Sequence, residues 1–472
     1  MVSIQSQHTI IPSSPTPNGK LFSLCEQVKL RTHAPLLYAY GNASLPSPSS
    51  ALNNHLFHTL MISLSKALSI YYPLAGRLRF IDGSRWEIIC NAKGALLMDA
   101  ICDGKSMHDF CGDDFVPTGL VSQLMPNIDY DAPLDDTPFL VVQVTRFNCG
   151  GFTIGVAMCR AVIDGMATVR FMNTWAKLAR GESLDPSEQF PCYDPSLLNS
   201  RALLLSKNVN NLHQHQHLDI FGTPPPWLGT FREDSRVVVG VVKITKEQVN
   251  KLKMKAAIEN DKSTTPFSSF EIIAGILWRC VTKARYQGIG DQPTRLITLV
   301  NCRNRLKPPL PDTYPGNAVF STVTKTCSFT DLMQNSLSST TEKVKESIAR
   351  VDDKFVREAL GCISKAKDMN LLRYNVHYPA KSVHKGAFKG NPNLFIVSWM
   401  NFSYKNLDFG FGAPVHFGPG YMDSEGKAFV MNNVSGDGFN VAIALDSSHM
   451  NAFKKFFYDQ IIEEVFVPIS KL

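Results

Sequence analysis

The chain has 472 residues, of which 44% are hydrophobic and 19% charged, and its formal net charge at pH 7 is +7. This length exceeds the size at which one hydrophobic core stops growing, so we expect a globular protein with two domains. The basic residues are spread along the chain without a long basic block, which argues against nucleic-acid binding and favours an ordinary surface charge over a polyanion site.

The chain carries no sequence signal for secretion or membrane insertion. Its N-terminus lacks a basic region followed by an apolar stretch, and no apolar run reaches membrane-spanning length. The eleven cysteines form no Cys-x-x-Cys pair and no regular spacing, which is typical of reduced, mostly buried thiols. We therefore expect a cytosolic protein.

The first half alternates predicted strands and helices. Turn-forming residues in "HTIIPSSPTPNGKLFSLCEQ" indicate an extended edge segment, and residues 52–72 have the apolar spacing of a helix. Three predicted strands follow at 85–90, 139–147 and 152–158. The last two are nearly continuously apolar, as expected for strands covered on both faces.

The strand pattern then ends before Asp164-Gly165, and the next segment, "MATVRFMNTWAKLAR", is predicted to be a helix that ends at Gly181. Arg160 and Asp164 therefore lie between an apolar strand and an amphipathic helix. This is a place where a fold can hold catalytic groups.

Residues 195–234 lose the periodicity and are rich in Asn, His, Gln and Pro, so we interpret them as a linker. The "HQHQH" stretch places His213, His215 and His217 at alternate positions, which suits a metal in an extended chain. We prefer a solvated loop and expect no metal site.

The second half broadly repeats the order of the first. Its predicted elements are a strand at 236–244, a helix at 245–258 capped by Thr245, a helix at 268–285 and a strand at 294–306. This repetition predicts two similar α/β domains, 1–194 and 235–472, with a site between them.

Several motifs occur together in a specific order. They are "YYPLAGRL", "DTPFLVVQVTRFNCGGFTIGV", Asp164-Gly165, "NCRNRL", "YPGNAV", "NPNLFIVSW" and "LDFGFG". In this combination the chain resembles the plant BAHD acyltransferases over nearly its whole length. Within that family it is most similar to the spermidine hydroxycinnamoyltransferases, through "FMNTWAKLARGE", "PPPWLGT", "RNRLKPPLP" and "HMNAFKKFFYD".

The resemblance implies two pseudo-symmetric domains of the chloramphenicol acetyltransferase type, with mixed sheets flanked by helices and a channel between them. It also implies a monomer that takes acyl-CoA as co-substrate and an amine as acceptor, with no bound cofactor. In the family's His-x-x-x-Asp-Gly motif the histidine is the general base, while the aspartate holds local structure through an arginine. That structural group corresponds here to Asp164, Gly165 and Arg303.

The sequence departs from two family motifs. Position 160 is Arg where the family has the catalytic His, and position 411 is Phe where the family has Trp. The second motif shapes the CoA side of the channel in the family. We expect Asp408, Gly410 and Gly412 to form a tight loop here rather than to touch substrate, and Phe411 to be a packing residue. Phe409 belongs to the same motif.

Arginine stays protonated at physiological pH and has no lone pair with which to accept a proton. An alcohol acceptor needs such a base, whereas a neutral amine already carries its nucleophilic lone pair. A positive charge at Arg160 would favour the neutral amine and stabilise the oxyanion that develops on the thioester carbonyl. The sequence therefore predicts N-acylation by a hydroxycinnamoyl-type donor, with a polyamine or a small amine such as piperidine as acceptor.

Two alternatives remain open from the sequence. Arg160 and Asp164 could pair and close a disused channel, leaving a non-catalytic accessory protein. The emptied site could also perform lyase-type chemistry, as altered members of the family do.

Further candidates have weaker signals. Replacement bases are sought among His33, His377 and His384, each of which we interpret as a surface or loop histidine. A solvated helix face is favoured over contact with CoA phosphates for Lys246, Lys251, Lys253 and Lys255. Carboxylates for a polyamine would come from Asp352, Asp353 or Glu358.

Overall fold

Two six-stranded mixed sheets flanked by helices form the architecture, and this confirms the predicted α/β class with two sheet-rich halves. The protein is described by a computed structural model that covers residues 1–41, 50–82, 84–202, 236–259, 266–286, 291–370, 372–373, 390–404 and 406–466. The predicted linker falls largely on residues 203–235, outside these ranges, so the domain boundaries at 194 and 235 stay a prediction.

The described residues contain seventeen strands. In chain order they are β1 Val2–Ile10, β2 Gly19–Leu21, β3 His33–Tyr40, β4 Arg77–Phe80, β5 Trp86–Cys90, β6 Ala95–Cys102, β7 Leu140–Phe147, β8 Phe152–Cys159, β9 Val237–Thr245, β10 Pro293–Thr294, β11 Leu296–Asn301, β12 Val319–Val323, β13 Cys327–Ser328, β14 Leu394–Ser398, β15 His416–Pro419, β16 Lys427–Asn432 and β17 Gly438–Asp446.

The same residues contain twelve α-helices. They are α1 Leu24–Gln27, α2 Ser50–Ile70, α3 Met107–Cys111, α4 Gly165–Ala179, α5 Pro186–Gln189, α6 Ser196–Asn199, α7 Lys246–Ile258, α8 Ser269–Tyr286, α9 Phe329–Gln334, α10 Leu337–Ala349, α11 Asp353–Lys365 and α12 Ser447–Phe466.

The first sheet combines strands from both halves of the chain. Its order is β1-β6-β7-β8-β3-β15, and β15 pairs antiparallel with β3 although it belongs to the second half. The pairing of β3 with β8 runs from His33 opposite Cys159 to Tyr40 opposite Phe152. Every residue of β8 is buried, as its continuous apolar sequence predicts. The edge strand is β1, which shares only residues 8–10 with the extended segment predicted at 8–27; the short strand β2 and the helix α1 form part of the rest.

The second sheet has the order β12-β11-β14-β16-β17-β9, with β14 parallel to both of its neighbours. Side chains alternate between its two faces. In β16, Ala428 and Val430 pack among residues of α7, α8 and α12. Phe429 and Met431 face a larger core that also contains Tyr38 of the first sheet and residues of α2 and α4. The two halves therefore share one core.

The strand predicted at 294–306 is shorter than expected. β11 ends at Asn301, and the chain turns there because Cys302 N–H donates to Ala318 O at 2.9 Å and Arg305 N–H donates to Cys302 O at 3.0 Å. This turn presents Arg303 to the first half of the molecule. The remaining predicted elements of both halves agree with the structure to within a few residues.

Nine of the eleven cysteines are buried, Cys149 and Cys192 are half-buried, and all are free thiols. Within the described ranges, no helix combines the length and apolarity that crossing a membrane would require.

Candidate active site

Asp164 connects the end of β8 to the start of α4. Its Oδ1 accepts the N–H of Ala167 at 3.0 Å, which caps the first turn of the helix. Its Oδ2 accepts from Arg303 Nη1 at 2.8 Å and from the backbone N–H of Ala318 at 2.9 Å. Because both oxygens bind protein groups, Asp164 serves the structure rather than the substrate.

Arg303 is fixed on several sides. Besides the ion pair, its Nη2 donates to Gly316 O at 2.7 Å, and the side chains of Arg303 and Asp164 are each 4% exposed. Burial tends to lower the pKa of Arg303, but the carboxylate of Asp164 outweighs that effect and raises the pKa. The structure thus brings Asp164 and Arg303 together as a buried contact between the two halves.

Arg160 follows β8 directly and is held by its backbone N–H, which donates to Thr32 O at 3.0 Å. Its side chain is partly accessible, and the charged or polar groups that influence it include Tyr421, Tyr130 and Asp423. Burial lowers the pKa of the guanidinium, which nonetheless remains protonated at any physiological pH. Position 160 therefore offers a positive charge and no proton acceptor.

The hypothesis that Arg160 pairs with Asp164 is wrong. Both carboxylate oxygens of Asp164 are engaged by Arg303, Ala167 and Ala318, and the residues that the structure describes form no ion pair with the guanidinium of Arg160. The physical reason is the helix cap, which turns the carboxylate into α4 and away from the strand end. The closed-channel form of the non-catalytic hypothesis loses its structural basis.

His33 is buried at the start of β3, so its interpretation as a surface or loop histidine is wrong. Its Nε2 donates to Pro138 O at 2.8 Å, and its Nδ1 accepts from the Tyr130 hydroxyl at 3.1 Å. Burial, together with the positive charge of Arg160, lowers the pKa of His33 to about 4. Both ring nitrogens are occupied, so His33 does not replace the base; His377 and His384 lie outside the described residues.

The loop after β14 has the tight form that its glycines predict. Asp408 Oδ1 accepts the backbone N–H groups of Gly410, Phe411 and Gly412 at 2.7, 2.9 and 2.9 Å. Gly410 and Gly412 have φ of 96° and 92°, values that glycine adopts without strain.

Aromatic packing anchors this loop. Phe409 is fully buried against Trp175, and Phe411 packs edge-on against Phe152. Phe152 begins β8 and Arg160 follows its end, so the length of a strand separates the loop from Arg160.

The four lysines near α7 do not join this site. The buried face of α7, formed by Val249, Leu252 and Ala256, packs in the outer core of the second sheet, on the face opposite the first half. Of the four lysines, which are Lys246, Lys251, Lys253 and Lys255, Lys251 forms an ion pair with Glu247 at 2.9 Å. CoA binding by these lysines stays a prediction.

The three carboxylates considered for a polyamine belong to α11. Asp352 accepts the N–H of Phe355 at 2.8 Å and caps the helix. Asp353 pairs with Arg357 at 2.6 Å, and buried Glu358 lies 4.0 Å from Lys354. Because they have these partners, the three carboxylates do not form a set of free groups along a channel, and the two aspartates serve the helix itself.

A small cavity of about 30 Å³ lies next to Val162 and Ile163, which connect Arg160 to Asp164. Its wall is mostly apolar and aromatic, with Tyr71 and Tyr193, and contains one buried carboxyl group, that of Glu26. Burial raises the pKa of Glu26 to about 8. Sequence analysis did not single out Glu26, because the pocket is assembled from distant segments of the chain.

Lys427, the first residue of β16, is a second group that the sequence did not reveal. Burial, assisted by the positive charge of Arg160 and opposed by Asp423, lowers the pKa of Lys427 to about 7. The one feature of the sequence that could have drawn attention to Lys427 is that a lysine begins the apolar run "KAFVM". Only the fold places it beside Arg160.

Within the described ranges, no three His, Cys, Asp or Glu side chains are grouped as a metal site would require. His213, His215 and His217, the candidates from the sequence, lie outside those ranges.

Comparisons with known proteins extend over almost the whole chain. A family model described as the Transferase family matches residues 1–460. The chain is 35% identical over 471 residues to hydroxycinnamoyl-CoA:piscidic acid hydroxycinnamoyltransferase of Actaea racemosa, which covers 98% of this chain and 100% of that protein. It is also 35% identical over 471 residues to anthranilate N-benzoyltransferase protein 2 of Dianthus caryophyllus, with 97% and 99% coverage.

The fold has a close counterpart among solved structures. The crystal structure of vinorine synthase aligns with a TM-score of 0.69 at 22% identity and covers 96% of each chain. This likeness concerns the arrangement of the two sheets and their helices.

Proposed function

The chain belongs to the BAHD transferase family, whose members use acyl-CoA as co-substrate, and we propose on this premise that it transfers a hydroxycinnamoyl or related aromatic acyl group from CoA to an amine nitrogen. The product is an amide and free CoA. Relatives that acylate nitrogen support this proposal, because anthranilate N-benzoyltransferase protein 2 is 35% identical to the chain.

The observation that carries the proposal is the state of Arg160. Its guanidinium stands after β8, is partly accessible and is not neutralised by Asp164. A positioned base contributes about 10² to 10⁴ in rate, or roughly 3 to 5 kcal/mol, and arginine cannot supply it. The reaction most weakened is direct acylation of an alcohol, since a hydroxyl is a poor nucleophile until its proton is removed.

An amine tolerates this substitution. For an alkyl amine with a pKa near 10.4, reaching the neutral form at about pH 7.4 costs about 4 kcal/mol. The charge of Arg160 lowers the pKa of an adjacent ammonium group and so reduces that cost. The same charge stabilises the oxyanion that forms when nitrogen attacks the thioester carbonyl.

The acceptor that fits best is a compact amine. A polyamine needs carboxylates for its distal ammonium groups, and Asp352 and Asp353 are instead engaged in α11. A small aliphatic, cyclic or aromatic amine needs only an apolar pocket. A spermidine-type acceptor, which the motif resemblance to spermidine hydroxycinnamoyltransferases suggests, is therefore the less favoured form of the proposal.

The acceptor class is tested directly with purified protein, p-coumaroyl-CoA and benzoyl-CoA, and a panel of amines and alcohols. The panel contains anthranilate, piperidine, spermidine and shikimate, and free CoA and product are measured. We expect amide formation with a monoamine and little or no ester. Turnover of alcohols alone would contradict the proposal, and release of CoA with neither class would reject transferase activity.

The role of Arg160 is tested by three variants on the same assay. Arg160→Ala removes the charge and is expected to slow N-acylation by about 10² to 10³, the effect of losing one oxyanion-stabilising donor. Arg160→Lys keeps the charge and should retain much more activity. Arg160→His supplies a base and is expected to add O-acylation. Unchanged N-acylation in the alanine variant would exclude the proposed role of the arginine.

A further inference from the structure

Lys427 is placed on the inner face of the second sheet by strand alternation. It shares a face of β16 with Phe429 and Met431, which pack in the core common to both halves, whereas Ala428 and Val430 face the outer helices. Its neighbours across the sheet are Phe395 of β14 and Ala444 of β17. The lysine side chain therefore extends towards the first half of the molecule.

Strand β15, which comes from the second half of the chain but pairs in the first sheet, brings the inner face of the second sheet close to Arg160. β15 pairs with β3 in the first sheet, and Gly420 N–H donates to Pro35 O at 3.2 Å at the end of β3 that adjoins the end of β8. Residues 420–426 then lead from the first sheet to Lys427 in the second. Arg160 and Lys427 thus approach the same space from opposite sheets, and each side chain is partly accessible.

The charged groups that face Lys427 are few. Arg160 and Asp423 are the ones that influence it, and Tyr421 and Tyr130 lie beside Arg160. Glu425, although close in sequence, is taken by Arg285 at 2.6 Å.

Lys427 Nζ lies 5.0 Å from the centre of the Phe429 ring, and the part of the chain that the structure describes provides it with no hydrogen-bond acceptor. The ring attracts an ammonium ion only weakly and does not replace the hydrogen bonds that water gives it, so burial leaves the charged form poorly stabilised. The neutral amine, with a free lone pair, is favoured there, and the pKa of about 7 expresses this.

We propose that Lys427 is the proton acceptor of this enzyme, so that the base comes from the second sheet while position 160 provides a fixed positive charge. The assignment rests on the amine acylation proposed above and names the group that completes it. Neither His33, whose ring nitrogens are occupied, nor Asp164, whose oxygens are occupied, offers a lone pair at this place.

The steps balance without any further reactant. The amine nitrogen forms a bond to the thioester carbon, and the carbonyl π electrons move to oxygen beside Arg160. Neutral Lys427 Nζ takes a proton from the resulting ammonium nitrogen. The oxyanion then restores the C=O bond, the C–S bond breaks, and the ammonium of Lys427 returns the proton to the departing thiolate of CoA.

The neighbourhood of Arg160 makes this base better suited to amines than to alcohols. The nitrogen becomes positively charged and acidic once it has attacked, so its proton passes readily to a lysine that is itself reluctant to be charged. An alcohol must lose its proton during the attack, when a weak base in a cationic site gives less help. Lys427 as the base therefore increases the preference of the site for N-acylation over O-acylation.

The test uses the full chain with p-coumaroyl-CoA and anthranilate, whose aryl amine is neutral over the pH range of interest and does not titrate with the enzyme. We expect kcat of the wild type to fall about tenfold per pH unit below pH 7 and to level off above it. Lys427→Met should lower kcat by about 10² to 10⁴ and abolish this pH dependence. Lys427→Arg places a permanent cation at this position that cannot accept a proton, and it should be equally impaired.

A matched control is Lys283→Met. The ammonium of Lys283 lies 4.5 Å from the centre of the Phe456 ring, a similar contact, but on the outer helical layer. Its kcat and pH profile should equal those of the wild type. A Lys427→Arg variant with wild-type activity, or a Lys427→Met variant that keeps the pH dependence, would overturn the proposal.

Failure of the base assignment and failure of the N-acylation proposal give different results. If the wild type acylates only alcohols, N-acylation is rejected, and the same variants assayed on that alcohol decide whether Lys427 is the base. If it acylates amines and the Lys427 variants are unaffected, only the base assignment is rejected.

Stability provides a readout that is independent of turnover. A lysine whose pKa is about 7 in the folded chain and 10.5 in its unperturbed state destabilises the fold fully below pH 7, and this effect fades as the pH rises towards 10.5. Lys427→Met should therefore raise Tm more at pH 6 than at pH 10, whereas Lys283→Met should change Tm similarly at both. An equal gain for Lys427→Met at the two pH values would contradict the depressed pKa and the base assignment with it.

Discussion

Asp164 and Arg160 lie four residues apart in sequence and have separate functions in the structure. The carboxylate of Asp164 caps α4 and binds Arg303 from the second half of the chain. The guanidinium of Arg160 remains on the strand side, near Tyr421 and Asp423. A substitution at 160 therefore changes the chemistry of the site without disturbing the contact that joins the two halves.

The buried ion pair makes a quantitative prediction. Asp164→Asn leaves the charge of Arg303 buried and uncompensated, which is expected to lower the free energy of unfolding by about 3 to 5 kcal/mol. Urea unfolding followed by tryptophan fluorescence measures this. The control is Glu346→Gln, which removes an exposed ion pair with Lys325 at 3.2 Å and should change stability by less than about 1 kcal/mol. Equal effects of the two variants would contradict the assigned role of Asp164.

At the scale of single elements, the start of α4 explains the glycine of the motif. A Cβ atom on Gly165 would lie 2.5 Å from Cζ of Phe402, so the helix approaches the second half more closely than any other residue allows. The turn after β11 acts from the other side, because it carries Arg303 to Asp164. Together these two segments fix the position of the turn after β8, and with it the position of Arg160.

Gly165→Ala tests this close approach. The added methyl group has to displace the ring of Phe402, and overpacking of this kind costs about 1 to 3 kcal/mol of stability. Chemical denaturation gives the value. Gly19→Ala is the matched control, because a Cβ there meets nothing within 4 Å and the change should be neutral or slightly stabilising. A neutral Gly165→Ala would mean that α4 and Phe402 do not make this contact.

For the molecule as a whole, the main feature is the core shared by both sheets. Phe417 of β15 stacks on Tyr38 of the first sheet at 5.0 Å and on Trp399 at 5.3 Å between ring centres. The strand that carries Phe417 comes from the second half but pairs with β3. Neither half has a complete core without the other, and Arg160 and Lys427, the residues to which we assign the chemistry, lie where the halves meet.

We therefore expect the protein to unfold in one cooperative transition in differential scanning calorimetry, provided that unfolding is reversible. Phe417→Ala in the shared core and Phe453→Ala in the outer core should each destabilise it by about 3 to 5 kcal/mol and shift that same transition. Two separate transitions, with Phe453→Ala moving only one of them, would show that the halves are independent folding units.

Much of the fold was predictable from local patterns. The continuous apolar sequence of β8, the Asp164 cap of α4 and the Thr245 cap of α7 each follow from side-chain chemistry within a few residues. The α/β class and the repetition of its two halves follow from the order of these elements. The end of β11 at Asn301 was missed, because the turn depends on hydrogen bonds to residues near Ala318.

The sequence by itself determined which chemical groups are present: a guanidinium in place of a base at position 160, and an aspartate that begins a helix. Only the tertiary structure decided which groups meet. His33 is buried and hydrogen-bonded, Arg303 reaches Asp164, and Lys427 comes near Arg160 because residues 420–426 lead from the first sheet to the second. The physical reason is that a side chain's charge state and reach depend on desolvation and on neighbours distant in sequence, which local periodicity does not encode.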